Sequence, residues 1–170
     1  VGTPPRTVEI RLIDESGGDV GEGQGELLVR GPSVFPGYWQ RPEATESAFT
    51  NGWFLTGDRA ERDATGAVRL LGRTSVDILK SGGYKLSALE IEEVLREHGS
   101  VLDAAVVGLP DEAWGERVVA CLLVREGHAP PTEDDLRAFC RERLAPYKVP
   151  KAFLVRDALP RNPLGKVGKP

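Results

Sequence analysis

Glycine and proline interrupt this chain so often that only short elements can form between breaks: 20 Gly and 13 Pro make up 33 of the 170 residues, close to a fifth. That share stays below the roughly 25–30% typical of disordered low-complexity chains. With 40% apolar and 28% charged residues the composition is that of a globular protein with one core or two small ones. The longest apolar run, Val118 to Val124, is seven residues, far short of the roughly 20 that a membrane helix needs. A net charge of −4 gives no support for binding to nucleic acid or to an anionic membrane. Cys121 and Cys140 are too few, in contexts too apolar, for a disulfide scaffold or a metal site, so a reducing cytoplasm is the expected setting. The chain opens Val-Gly-Thr-Pro-Pro, contains no Met and shows no targeting leader, which reads as a piece of a longer protein.

The punctuation changes along the chain. Val8–Ile13, Leu27–Arg30, Trp53–Leu55 and Ala67–Leu71 read as short strands separated by turn-rich stretches, with an irregular segment after Pro32. This first part is expected to be all β or nearly so. From Thr74 onward helix signals appear. Ser87-Ala-Leu-Glu90 has the form of a capping box, with Ile91, Val94, Leu95 and His98 on one face and Gly99 as a stop. Thr132 opens a second helix in the same way, with Leu136, Phe139, Cys140 and Leu144 as its apolar stripe and Pro146 as terminator. Strands are expected near Val101–Val107, Arg117–Val124 and Ala152–Val155. The class is therefore α/β (α+β): a β-rich portion followed by a small α-β-β-α-β layer structure, with the boundary near Arg73–Asp77.

Four segments concentrate chemistry: Trp53-Phe-Leu-Thr-Gly-Asp58, Gly72-Arg73-Thr-Ser-Val-Asp77, Lys80-Ser-Gly-Gly-Tyr-Lys85 and Pro160-Arg-Asn-Pro-Leu-Gly-Lys166. Each has an ordinary explanation when taken alone. Asp58 after Thr-Gly is commonly a turn former, Ser81-Gly82-Gly83 either a flexible loop or a backbone that a thin ligand approaches, and Lys166 a solvated tail lysine. Glu90 and Glu92 are assigned to structure, Glu90 through capping. His98 suits a helix C-terminus, and neither His98 nor His128 has partners for metal or nucleophilic chemistry. Trp114 reads as packing for a connecting loop, the alternative being an exposed face that docks a larger domain. The last 25 residues hold six basic groups and one acid, ordinarily a solvated end.

Together with Gly25-Glu-Leu-Leu-Val-Arg-Gly31 and Gly37-Tyr-Trp39, these segments resemble the C-terminal third of the acyl-adenylate-forming superfamily, over essentially the whole chain. Within it, residues 25–35, 72–92 and 144–150 are most similar to malonyl-CoA synthetases. The resemblance implies an AMP-forming ligase: a carboxylate attacks the α-phosphate of ATP to give an acyl-adenylate, the small domain rotates, and coenzyme A displaces AMP. It implies residues 1–73 as the end of the large domain, 74–77 as hinge and 78–170 as the small catalytic lid. By the same resemblance Asp58 takes the ribose hydroxyls, Arg73 holds the ribose and phosphate end, and Lys166 bridges carboxylate and α-phosphate during adenylation. Gly83 and Gly82 let the pantetheine arm pass, Lys85 faces the phosphate or CoA end, and Lys80 approaches the site in the second conformation. Asp77 is the preferred pivot and Ser75 the alternative. The Mg2+ site, the phosphate-binding loop and the acid-selecting pocket are expected outside this chain, so the isolated 170 residues are expected to be inactive. Implied partners are ATP, CoA, a small carboxylic acid and the large domain of the same protein. The competing readings are a synthetase for another short or medium-chain acid, and a non-catalytic module that holds CoA or a protein partner.

Overall fold

The computed structural model describes residues 2–169. Two compact units divide the chain, residues 1–75 and 76–170, and the architecture is mixed α/β with a five-stranded sheet in each unit.

In the first unit β1 (Glu9–Ile13) pairs antiparallel with β2 (Gly23–Arg30), and β2 pairs with the long strand β4 (Trp53–Arg62). The other edge of β4 is shared by β3 (Phe49–Thr50) at its start and β5 (Val68–Arg73) at its end. Leu12, Ala60 and Val68 form a small buried core. A seven-residue helix, α1 (Pro42–Ala48), stands in the stretch expected to be irregular. Proline in its first turn fits the helix because the missing N–H would be unsatisfied there anyway. It buries no residue, so it leaves no amphipathic stripe in the sequence.

The second unit carries the larger core. Its order is β6 (Ile78–Ser81), β7 (Tyr84–Ser87), α2 (Ala88–Arg96), β8 (Val101–Asp111), β9 (Gly115–Val124), α3 (Glu133–Arg141), a 3-10 turn at Pro146–Lys148, and β10 (Ala152–Val155). The α-β-β-α-β series expected from the sequence is present, preceded by the β6–β7 hairpin. β8 and β9 pair antiparallel along most of their length, while β10 adds in parallel. Both helices cover this sheet: Ile91 and Leu95 of α2, Leu136 and Cys140 of α3, and Val106, Val118 and Leu122 of the strands belong to one buried cluster. Burial pushes the Cys140 thiol up to about 11.

The capping box expected on α3 is present, whereas on α2 only its Ser87 half forms, because the Glu90 carboxylate is taken by Lys148. The Thr132 hydroxyl accepts the Asp135 N–H at 3.2 Å while the Asp135 carboxylate reaches back, completing a capping box on α3. On α2 the Ser87 hydroxyl accepts the Glu90 N–H at 3.2 Å, whereas the Glu90 carboxylate receives Lys148 Nζ at 2.7 Å. His98 lies just past α2, edge-on to Phe139 of α3 at 5.0 Å.

Candidate active site

The Thr56-Gly57-Asp58 segment lies within β4, at an irregularity rather than in a free turn. β2 and β4 are in register at Glu26↔Arg59 and again at Leu28↔Leu55, so Thr56, Gly57 and Asp58 together face the single residue Leu27. Bulges of this kind kink a strand and redirect its side chains. The Thr56 hydroxyl donates to the Leu27 carbonyl at 2.7 Å and accepts the Asp58 N–H at 3.0 Å, which fixes the kink. Gly57 takes φ +73°, and a Cβ there would lie 2.9 Å from Arg73 Nη1. The positive φ favours glycine here, and a side chain would also displace the Arg73 guanidinium from its place against the Thr56 carbonyl.

Asp58 and Arg73 are direct cross-strand neighbours on β4 and β5. Arg73 Nε stands 3.1 Å from Asp58 Oδ1, and Arg73 Nη1 donates to the Thr56 carbonyl at 2.7 Å. Asp58 keeps 31% of its side-chain surface and Arg73 53%. An accessible carboxylate beside an accessible guanidinium offers acceptors for hydroxyl groups and a fork for an anion on one patch.

Lys80, Gly82, Gly83 and Lys85 all belong to the β6–β7 hairpin. Lys80 faces Lys85 and Ser81 faces Tyr84, leaving Gly82-Gly83 as a two-residue turn. Both have positive φ, +58° and +82°, the pattern for which tight hairpins favour glycine. The two glycines differ in their surroundings. A Cβ on Gly82 would meet the Trp114 ring at 2.9 Å, while a Cβ on Gly83 would have nothing within 4 Å. Trp114 lies in the β8–β9 connection, where its carbonyl accepts the Gly82 N–H at 2.9 Å and Lys151 Nζ stands 4.1 Å from its ring centroid, while 45% of the residue stays exposed. Glu116 of β9 accepts the Lys80 N–H. Tyr84 and Tyr147 stack beside this turn, 4.3 Å between centroids.

Lys166 is exposed, on an ordered loop rather than a loose tail. The Asn162 side chain accepts the Leu164 and Lys166 N–H groups at 3.0 and 2.9 Å, and the Asn162 N–H donates to the Lys166 carbonyl at 2.9 Å. Arg161 and Val167 form a β-bridge across the loop.

Reading by residue type missed a buried ionic cluster in the second unit. Glu92 is 3% exposed. Its Oε1 accepts the Val106 N–H at 2.7 Å and also meets Lys169 Nζ at 2.7 Å, while Oε2 receives Arg96 at 3.2 Å. Lys169 Nζ also lies 2.7 Å from Oδ1 of Asp77, which is 5% exposed. The usable signal was spacing: Ala88, Ile91, Glu92 and Leu95 share one face of α2. Nearby, burial alone would raise the Asp103 carboxyl, but the Ala104 N–H, Arg161 and Arg96 outweigh it and hold that group below the usual carboxylate range. Among the described residues no cluster of His, Cys, Asp and Glu is arranged to hold a metal ion.

Comparison with known proteins finds relatives along the chain. Residues 90–166 match the family described as the AMP-binding enzyme C-terminal domain. The mouse protein named malonate–CoA ligase ACSF3, mitochondrial, is 49% identical over 99% of this chain and 32% of its own length. A long-chain-fatty-acid–CoA ligase of Yersinia pestis is 42% identical over 98% of this chain and 29% of its own. The structure of o-succinylbenzoate CoA synthetase from Bacillus subtilis, in complex with its acyl-adenylate intermediate, superposes with a TM-score of 0.90 at 38% identity, covering 98% of this chain and 34% of that one. The chain spans about a third of the length of the curated relatives it matches.

Proposed function

Because this chain belongs to the AMP-binding, acyl-adenylate-forming enzyme family, whose C-terminal portion it supplies, we propose that it serves an AMP-forming carboxylate–CoA ligase acting on malonate or methylmalonate. The observation that carries the reading is the Asp58–Arg73 pair, 3.1 Å apart and accessible. One carboxylate can accept two neighbouring ribose hydroxyls, and a permanently charged guanidinium suits the adjoining phosphate.

In the first half-reaction the acid's carboxylate oxygen attacks the ATP α-phosphorus and pyrophosphate leaves. Lys166 contributes an ammonium between the carboxylate and α-phosphate oxygens, offsetting negative charge where the two anions meet. In the second, the CoA thiol attacks the acyl carbonyl and AMP leaves. We assign the open side of Gly83 to the pantetheine arm and Lys80 and Lys85 to the anionic end of CoA. Gly82 keeps the same turn thin by giving Trp114 room. We propose that the change between half-reactions is a rotation at residues 74–77. Ser75 is the better pivot of the two candidates, because Asp77 is buried and its carbonyl accepts the Ala88 N–H at 2.7 Å. No step is assigned to Mg2+ through this chain, whose described residues offer no ligand cluster.

The choice of a short diacid rests on the likeness to the mouse malonate–CoA ligase. The likeness to the Yersinia long-chain enzyme supports a second reading, a longer monocarboxylic acid. The two free cysteines suit a reducing compartment, for which we propose the cytoplasm; the mitochondrial designation of the mouse relative names the competing compartment, and fractionation of cells decides between them.

The test is acid-dependent ATP–pyrophosphate exchange and acyl-CoA formation by the full-length protein. Exchange with malonate or methylmalonate is the expected result. Exchange only with long-chain acids moves the assignment to the second reading. Exchange with no acid, alongside retained CoA binding, identifies a binding module instead.

A further inference from the structure

Lysine is rarely buried unless its charge is matched, and a Gly/Pro-rich basic segment ordinarily stays in water. Lys169 departs from this: its side chain is 7% exposed and its ammonium sits 2.7 Å from both Asp77 Oδ1 and Glu92 Oε1. The two acceptors come from different segments of the second unit. Asp77 precedes β6 at the beginning of the unit, and Glu92 lies on the buried face of α2, held by the Val106 N–H and by Arg96. On the far side of Lys166 a second tie is present. Arg161 pairs with Asp103, which also receives Arg96 Nε at 3.1 Å, and Arg161 Nη1 donates to the Gly165 carbonyl at 2.8 Å. The Gly168 N–H closes the loop base on the Pro160 carbonyl at 2.8 Å.

We propose that Lys169 is a positioning residue for adenylation: its buried pairs with Asp77 and Glu92, together with the Arg161–Asp103 pair, lock the 161–167 loop to the second unit so that Lys166 is presented from one fixed place. The proposal rests on the assignment of Lys166 made above. Three residues of fully extended chain reach at most about 10–11 Å, so anchoring Lys169 confines the Lys166 backbone to a small region. A loop fixed in advance avoids ordering a flexible segment in the transition state. Because Lys169 is paired to Asp77 and Glu92 within the second unit, a rotation of the unit carries the Lys166 loop with it as one body.

The experiment compares Lys169→Met, Lys169→Arg and Lys166→Ala in the full-length protein. Readouts are ATP–pyrophosphate exchange, thioester formation from a preformed acyl-adenylate, and hydrogen exchange of the 160–168 amides. Lys169→Met is expected to slow adenylation at least 10-fold, to leave thioester formation within two-fold, and to accelerate exchange of the loop amides about 10-fold or more. Lys169→Arg should restore most of the adenylation rate. Where Lys169→Met folds poorly, Asp77→Asn/Lys169→Met also removes one of the two negative charges that the ammonium had matched and is read in the same way. The proposal is overturned by unchanged adenylation and loop exchange in Lys169→Met, by equal loss of both half-reactions, or by wild-type adenylation in the double variant. Should Lys166→Ala keep full activity, the assignment of Lys166 fails instead, and faster loop exchange in Lys169→Met still identifies the tether.

Discussion

Arg73 meets Asp58 edge to edge across neighbouring strands, Nε to Oδ1 at 3.1 Å, although fifteen positions separate them in the chain. The contact is made by register: β4 and β5 pair Asp58 directly with Arg73, and the Gly57 kink leaves room for the guanidinium to lie against the Thr56 carbonyl. An accessible ion pair contributes little to stability, about 0.2–1 kcal/mol. Asp58→Asn should therefore leave the melting temperature nearly unchanged. Hydrogen bonds to a charged partner are worth about 1.5–3 kcal/mol, so the same variant should weaken nucleotide binding by roughly 10–100-fold at about 1.4 kcal/mol per tenfold. Isothermal titration with an ATP analogue checks this; wild-type affinity in a folded variant removes Asp58 from the nucleotide site.

Lys166→Ala should slow acid-dependent exchange by about 3–4 kcal/mol, the scale of losing one preorganised charge stabiliser, while CoA transfer from a preformed adenylate stays near wild type. Equal damage to both half-reactions would refute a lid with two working faces. The 170 residues alone should support no exchange with any acid, and exchange by the pure fragment would overturn that expectation.

Gly82 and Gly83 share a turn but should fail differently. Alanine at either pays the strain of a left-handed backbone, about 1–2 kcal/mol. Gly82→Ala also drives Cβ against Trp114 and should melt lower than Gly83→Ala. Gly83→Leu, with open space around its Cβ, should keep adenylation and lose thioester formation. Single-turnover measurements of both steps on one preparation decide the matter: a folded Gly83→Leu that acylates CoA at the wild-type rate shows that the pantetheine passes elsewhere.

Cys140 predicts a pH dependence. Its thiol titrates near 11 in the folded chain against 9.0 for the free group, because burial disfavours the thiolate. The folded state therefore holds this proton where the unfolded state has released it. The contribution is complete below about pH 9 and is lost as pH rises toward 11. Cys140→Ala, compared with wild type by denaturant titration at pH 8 and 10.5, should show a smaller fall in stability between the two. Native Cys140 should also resist alkylation at pH 8; rapid labelling of folded protein would contradict its burial.

The starts of α2 and α3 were readable because caps are local: Ser87 and Thr132 each accept from the amide three residues on; their ends were not, since α2 stops at Arg96 before His98 and α3 at Arg141 before Leu144 and Pro146. Helix α1 was not, since seven residues with no buried face carry no periodic signal. The β6–β7 hairpin escaped for a related reason, as four-residue strands around Gly82-Gly83 look the same as a loop until Lys80 and Lys85 are seen to pair. The candidate site divides in the same way. Asp58, Arg73, Gly83 and Lys166 came forward only through the resemblance of their segments taken together, since each residue alone has an ordinary explanation.

The sequence by itself determined the composition of a globular chain, the N-terminal caps of α2 and α3, and the segments that carry the likeness to AMP-binding enzymes, because caps, turn glycines and motif spacing are local along the backbone. Only the tertiary structure decided that Arg73 belongs beside Asp58, that Gly82 serves Trp114 while Gly83 stays open, and that Lys169 is buried between Asp77 and Glu92. These depend on strand register and on which charges share a desolvated site. Both are settled between segments far apart in sequence, where the energy of a charge depends on the partners that reach it.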